Sequence, residues 1–407
     1  MREKEAKHDS IVASLRDERD ESRTFVKGIE KGLETHEPED GVTEPLNPEV
    51  AIARYGKQLS LYELKEILEY PEVYYVGASV EKLEADMSEG AVNYGFDDDK
   101  QHYLISKHDH IAYRYKYMRQ AGTGTFGNAL ECLDCKTGEL CVVKVVRNES
   151  QCRHQSDVEL RTLGVIANND PDSDAPVVKM HESFEFRGHT CLVFEMLDRS
   201  VSDLLESPRG RQGLPITVVR PLMRACLEAL DFLHGIGVIH CDLKPENLLL
   251  ELEDPFKLKA RLKVIDFNTS TTVDSDFFLY IQTRFYRSPE VILGAYYGTG
   301  IDIWSFGACL VEMLTGQPLF AGEDEADMLA CMMEVCGPPA PALFDSATQS
   351  HNYFTEDGDF RGSRRCHAHS ESESDPHPHP HPHPHPDSGW KEQEASGLSA
   401  SSLPSTF

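Results

Sequence analysis

His240-Cys-Asp242-Leu-Lys244-Pro-Glu-Asn247 is followed, 24 residues after Asp242, by Asp266-Phe-Asn268, and this spaced set decides how the chain is read. A phosphoryl group in transfer needs an oriented hydroxyl and offset charge more than covalent help from the protein. Asp242 suits acceptance of a hydroxyl proton, and Lys244 suits neutralisation of the moving phosphate. A hard divalent cation wants oxygen ligands. Asp266 supplies a carboxylate and Asn247 an amide carbonyl, a pair fitted to octahedral Mg2+ completed by phosphates and water. No member of the set carries weight alone; the spacing does.

Upstream, Gly122-Thr123-Gly124-Thr-Phe126-Gly127 lies between two predicted strands, Tyr113 to Met118 and Ala129 to Leu133. Backbone amides without side chains can close there over nucleotide phosphates. A dinucleotide-binding oxidoreductase would place a strand before such glycines and a helix directly after them, and here a second strand follows. Lys144 sits in the apolar strand Val142-Val-Lys-Val-Val, where a lone ammonium is costly and calls for anionic partners. ATP phosphates and Glu159, in the helical stretch Val158-Glu-Leu-Arg-Thr-Leu, meet that need. Downstream, Ser288-Pro-Glu290 closes a segment begun at Asp266. Asp302-Ile-Trp304 opens an apolar helix, where Asp302 is placed to cap backbone amides of the catalytic loop. Apolar positions from Ile216 to Gly235 recur every three or four residues and predict a further helix.

The 407 residues carry 40% apolar content and a net charge of −29. That supports one substantial enzyme core and argues against nucleic-acid binding, since phosphate backbones repel an acidic face. Basic peptides remain suitable partners. The charged start MREKEAKHDS lacks a signal's apolar stretch, no run is long enough to span a bilayer, and the scattered cysteines suit a reducing interior, so a cytoplasmic or nuclear, membrane-free protein is expected. Cys132 and Cys135 have the spacing of a zinc half-site, but no second pair follows, and they read as ordinary cysteines flanking a hairpin turn. Residues 1–45 form a charged tail. Residues 46–110 carry an accessory region with apolar residues at helical spacing and the aromatics Tyr70, Tyr74 and Tyr75. Residues 346–407 read as a disordered His-Pro and Ser-rich tail; histidines at every second position of a three-residue-per-turn polyproline helix form no metal-binding face.

From about Pro48 to Pro339 the chain resembles the dual-specificity tyrosine-phosphorylation-regulated kinases of the CMGC group. The resemblance rests on the catalytic set together with Gln58-Leu-Ser-Leu-Tyr-Glu-Leu-Lys-Glu-Ile, Asp109-His-Ile-Ala-Tyr-Arg-Tyr, Cys241 and Tyr280-Ile-Gln-Thr-Arg-Phe-Tyr-Arg-Ser-Pro-Glu. The first two stretches suggest the class II branch, in which the accessory region assists autophosphorylation of a tyrosine, here Tyr280. The resemblance implies an α+β bilobal protein-kinase fold over residues 111–345, with an antiparallel β N-lobe and a mainly helical C-lobe. It implies ATP and Mg2+ as cofactors and a monomer acting on Ser/Thr of protein substrates, proline-directed with an upstream Arg that Glu246 would receive. Cys241 stands where most kinases use Arg to hold a loop phosphate, so Arg284 and Arg287 are the expected phosphate partners of Tyr280. In the adenine site, Ala129 and Val142 form the roof, Leu249 the floor, and Glu195 and Leu197 the hinge behind the bulky Phe194.

Departures from the family pattern sharpen the expectations. Asn268 replaces the usual glycine, and asparagine is the residue expected to accept a positive φ there. Ala129 and Val142 have exchanged the usual sizes of the adenine roof, a volume-conserving swap. After Gly337-Pro-Pro the helices that complete such a C-lobe are replaced by polar text, which predicts an unfinished lobe and leaves Glu290 without its usual Arg. The alternative to an active kinase is therefore a catalytically compromised, pseudokinase-like scaffold or regulatory binding protein.

Overall fold

The computed structural model describes residues 44–361 apart from 87, 89–90, 209, 252–260, 274–280 and 356. Tyr280, the charged tail up to residue 43 and the His-Pro tract lie outside the described residues. Among those described, no helix is long and apolar enough to cross a membrane.

The alternation of β-branched and polar residues expected of half-buried strands builds the first lobe. Strands β1 (His110–Ile111), β2 (Tyr115–Gly124), β3 (Gly127–Asp134), β4 (Glu139–Val146), β5 (Met180–Phe186) and β6 (His189–Glu195) form a wholly antiparallel sheet in the order β1-β2-β3-β4-β6-β5. The glycine-rich motif is the β2–β3 turn, with Gly124 paired to Gly127. Helix α1 (Ser150–Asn169) links β4 to β5 and carries Glu159 on its buried face.

The opposite face of this sheet is covered by the accessory region. Phe96, Tyr103, Ile111 and Tyr115 form one apolar layer with Leu130, Cys132, Cys141, Val143, Phe186, Cys191 and Val193. Charges buried beneath it are matched rather than solvated. Arg187, at the β5–β6 turn, donates to Glu66 at 2.8 Å, Glu63 at 3.3 Å and the Tyr103 hydroxyl at 3.0 Å, with its guanidinium over the Phe96 ring. Glu63, Asp109 and His110 gather closely enough to hold a metal ion, but Lys82 places its own ammonium 3.3 Å from Glu63 and in contact with Asp109. Burial opposes the charge of Glu63, yet its bond to His110 and the nearby Lys82 win and hold its pKa far below the usual carboxylate range.

The second lobe is helical. The periodicity over Ile216 to Gly235 becomes α2 (Ile216–Gly235), packed on α3 (Gly300–Thr315), with α4 (Glu325–Cys336) beyond. Short strands β7 (Val238–Ile239), β8 (Leu248–Leu250), β9 (Leu262–Val264) and β10 (Thr271–Thr272) frame the catalytic loop, β7 pairing with β10 and β8 with β9. On α3, Ile303 and Leu314 are exposed.

The lobe does not stop at 345, however. Residues 346–361, expected to be tail, turn back on the core: Thr348 and Gln349 donate their amides to the carbonyls of Gly294 and Leu293 at 3.1 and 2.9 Å. Phe354 then inserts beside Ile292, Leu293, Met328 and Met332, and bridges to Phe360. Sparse aromatics, not helical periodicity, anchor this strap.

Candidate active site

Lys144 projects from β4 toward α1, and its Nζ lies 2.8 and 3.0 Å from the Glu159 carboxylate oxygens and 2.9 Å from Asp266 Oδ1. Burial disfavours the ammonium, but the adjoining Asp266 and Glu159 overcome this and raise the Lys144 pKa. Burial likewise pushes Asp266 up, and Lys144 reverses it to a net lowering. Glu159, wholly enclosed, is raised by desolvation despite the lysine. One ammonium thus serves two carboxylates and holds the two lobes' chemistry together.

On the other side, Lys244 Nζ donates to Asp242 Oδ2 at 2.6 Å, and Asp242 outweighs the desolvation of Lys244, raising its pKa. Asn247 donates Nδ2 to the Asp242 carbonyl at 2.8 Å. That leaves the Asn247 amide oxygen as its donor atom toward a cation, and with the Asp266 carboxylate it makes a hard-oxygen pair that fits a divalent ion. The loop is braced from beneath by Asp302, fully buried, which accepts from the His240 and Cys241 amides at 2.8 and 3.0 Å and contacts His234 Nε2 at 2.9 Å. The cap expected of Asp302 is thereby formed. His240 Nε2 reaches the Ile265 carbonyl at 2.9 Å, tying this loop to the residue before Asp266.

The roof and hinge residues share a wall. Ala129 pairs with Lys144 across β3–β4, and Val142 pairs with Glu131 and Phe194, so Ala129, Val142 and Lys144 face one side of the sheet. Leu197 is buried in the same apolar cluster, with Leu249 and Phe126 packed against it. Gly122 and Thr123 lie in β2, and Gly127, at φ 154, is set so that a Cβ would meet the Val145 carbonyl at 2.2 Å. The Glu195 side chain is already committed, 2.7 Å from Lys263 Nζ, which leaves the hinge backbone to meet a base.

Asn268 departs from its expected role. The positive φ of this turn falls on Asp266, at φ 67, and not on Asn268. Asn268 is instead buried at 3% exposure with Nδ2 unpartnered among the described residues. The two arginines expected to await a phosphate are engaged elsewhere: Arg284 donates to the Glu323 carbonyl at 2.6 Å, and Arg287 to Glu325 at 2.9 Å and the Gln282 carbonyl at 2.9 Å. Glu246 is exposed. Thr283 was not anticipated. Its amide and hydroxyl donate to Asp242 Oδ1 at 3.0 and 2.7 Å, and its hydroxyl accepts from Lys244 at 3.2 Å. The only sequence signal was its place just before Arg284, within a segment read for its tyrosine.

The protein kinase domain family model matches residues 115–354, from β2 to the strap. The chain belongs to the protein kinase family. This kinase is 42% identical over 314 residues to the dual specificity tyrosine-phosphorylation-regulated kinase 3 of Homo sapiens, covering 77% of this chain and 52% of the relative. It is 41% identical over 318 residues to the DYRK-family kinase pom1 of Schizosaccharomyces pombe, covering 78% of this chain and 29% of that one. With the dual specificity tyrosine-phosphorylation-regulated kinase mbk-2 of Caenorhabditis elegans it shares 40% identity over 311 residues, covering 76% of this chain and 37% of that one. The chain spans about half the length of the kinase 3 relatives it matches.

Proposed function

We propose that this chain is an ATP-dependent dual-specificity kinase that phosphorylates Ser/Thr of protein substrates and its own Tyr280. The observation that carries the reading is the assembly of Lys144, Glu159 and Asp266 within 3.0 Å contacts, beside Asp242 bonded to Lys244 and Asn247. Bound Mg·ATP would supply the γ-phosphoryl group and the cation that offsets its charge. Lys144 orients phosphate oxygens, and Asn247 and Asp266 are the residues that would hold Mg2+. Asp242 accepts the proton as the substrate oxygen bonds to phosphorus and the bond to the departing diphosphate breaks, while Lys244 steadies charge on the phosphoryl oxygens. Exposed Glu246 receives an Arg upstream of the target hydroxyl, which accords with the acidic character of the chain and favours basic peptides, while the preference for proline after the target follows from the family resemblance.

The scaffold alternative rested on an unfinished lobe. The strap returning to the core and the closed set of catalytic contacts both support catalysis instead. The test is to incubate the purified chain with Mg·ATP and a basic Ser/Thr-Pro peptide beside Asp242→Asn. Phosphate on the peptide with wild type alone is expected, and equal signal from both proteins sinks the kinase reading. Phosphate mapping at Tyr280 in bacterially produced chain tests the tyrosine half, and its absence from an active preparation removes that half.

A further inference from the structure

Three residues between β4 and α1 lie at a junction that the phosphoryl chemistry alone does not require. Arg147 faces the glycine-rich turn: its amide donates to the Phe126 carbonyl at 2.9 Å and its guanidinium to the Thr125 carbonyl at 3.0 Å. Its other terminal nitrogen pairs with Glu149, immediately before the helix. Asn148 faces the opposite way, toward the accessory region. Its amide donates to the Gln101 carbonyl at 3.0 Å and its Nδ2 to Asp97 Oδ2 at 3.0 Å, while its Oδ1 accepts from Arg153 in the first turn of α1.

The accessory side of this contact is built to stay in place. Asp97, 8% exposed, is held through its second oxygen by Asn93 Nδ2 and His189 Nε2, each at 2.7 Å, and His189 reaches the Val146 carbonyl at 2.7 Å with its other nitrogen. Gln101 sits at φ 63, a left-handed backbone that persists for a non-glycine residue only where its surroundings impose it. Arg153 also bonds the Gly188 carbonyl at 3.0 Å, so the helix start is tied to the β5–β6 turn as well.

We propose that the accessory region sets the closed position of the glycine-rich turn and of α1 through this junction, with Asn148 as the positioning residue. The turn is gripped by residue 147, the accessory region by residue 148, and the helix bearing Glu159 begins two residues later and donates back from Arg153 to Asn148, so the three grips are tied by hydrogen bonds within one short stretch of chain. Displacing Asn148 from Asp97 therefore moves the Arg147 grip on the turn that would cover phosphate and the start of the helix that partners Lys144. The consequence is nucleotide affinity set by residues of the accessory region that do not line the nucleotide site.

This inference rests on the kinase reading for its meaning, but its test does not depend on turnover. Affinity for Mg·AMP-PNP is measured by titration calorimetry on the full chain, alongside thermal unfolding, for Asn148→Asp, Asp97→Asn and the two combined. Asn148→Asp sets two carboxylates against each other and is expected to lower affinity about fivefold, in the range by which contact networks couple sites. In the double variant, Asn at 97 donates to Asp at 148, Arg153 keeps an acceptor, and affinity returns to within about twofold of wild type. A purely structural contact would move the unfolding temperature and leave affinity alone. Unchanged affinity in Asn148→Asp, or a double variant that regains stability without regaining affinity, overturns the proposal. If wild type binds nucleotide with the expected variant pattern but transfers no phosphate, the kinase reading fails while the junction stands; if wild type binds no nucleotide, both fall.

Discussion

Phe354→Ala tests whether the strap is part of the lobe or lies idle upon it. The Phe354 ring is 5% exposed, with the Phe344 ring 5.0 Å away at 83° and the Phe360 ring at 5.3 Å. Part of its cage is therefore the strap and part is the lobe, through Ile292, Leu293 and Met332. Deleting a ring from a well-packed core costs about 3–5 kcal/mol, the transfer of the lost atoms plus the cavity they leave. The strap can partly collapse into that space, because Phe360 follows on a short connection, so the lower end, about 3 kcal/mol, is expected. Against the roughly 5–15 kcal/mol that separates folded from unfolded states of ordinary domains, this is a large share. Urea unfolding should show a fall in midpoint with little change in slope, and Phe354→Leu, which refills most of the volume, should lose about 1.5 kcal/mol or less. A loss below about 1 kcal/mol for the alanine variant would mean that the ring is not in a packed core and that the strap does not complete the lobe.

Other variants probe the site and its supports. Asp242→Asn should lower kcat by about 10²–10⁴-fold, the usual worth of a positioned proton acceptor, with Mg·ADP affinity retained in a binding titration. Thr283→Ala keeps the amide bond to Asp242 but removes the hydroxyl that donates to Asp242 and accepts from Lys244, and should lower kcat about tenfold, with Thr283→Ser, which keeps that hydroxyl, close to wild type in steady-state assays. Arg187→Met leaves Glu63 and Glu66 short of a buried cation and should cost about 3–5 kcal/mol in denaturant titration. Glu290, raised by burial and paired with no Lys, Arg or His among the described residues, favours its neutral form when folded. Its contribution to stability is fully present below the ordinary glutamic acid pKa and is lost as pH rises through the folded value, so Glu290→Gln should match wild type in acid and exceed it near neutrality in a pH series of thermal melts.

Much of the nucleotide site could be read from the chain because its parts are held by short-range devices. The glycine turn, the strand bearing Lys144, the loop from His240 to Asn247 and the helix from Ile216 to Gly235 each announce themselves within a few residues. What escaped was set by distance along the chain. Arg187 meets Glu63 across 124 positions, and no local pattern marks a lone arginine in a strand turn as the cation of a buried network. Residues 346–361 escaped for a different reason: with polar text and a strap anchored by Phe354 and Phe360 rather than by a helix, they offer no 3.6-residue period to detect. At Asn268 the residue type pointed to a positive φ, but the local backbone placed it two positions earlier, on Asp266.

The layer between sheet and accessory region also keeps a record of its own opening. Cys132, Cys141 and Cys191 lie within it at 0%, 4% and 0% exposure, and burial pushes the Cys141 thiol up to about 12 and the other two above the ordinary range. Such thiols are both hidden from reagent and poor in the thiolate that reacts. Each alkylation at these positions therefore counts an event in which the covering aromatics have lifted, so mass spectrometry against time reads the lifetime of the closed layer without any reference to phosphate transfer.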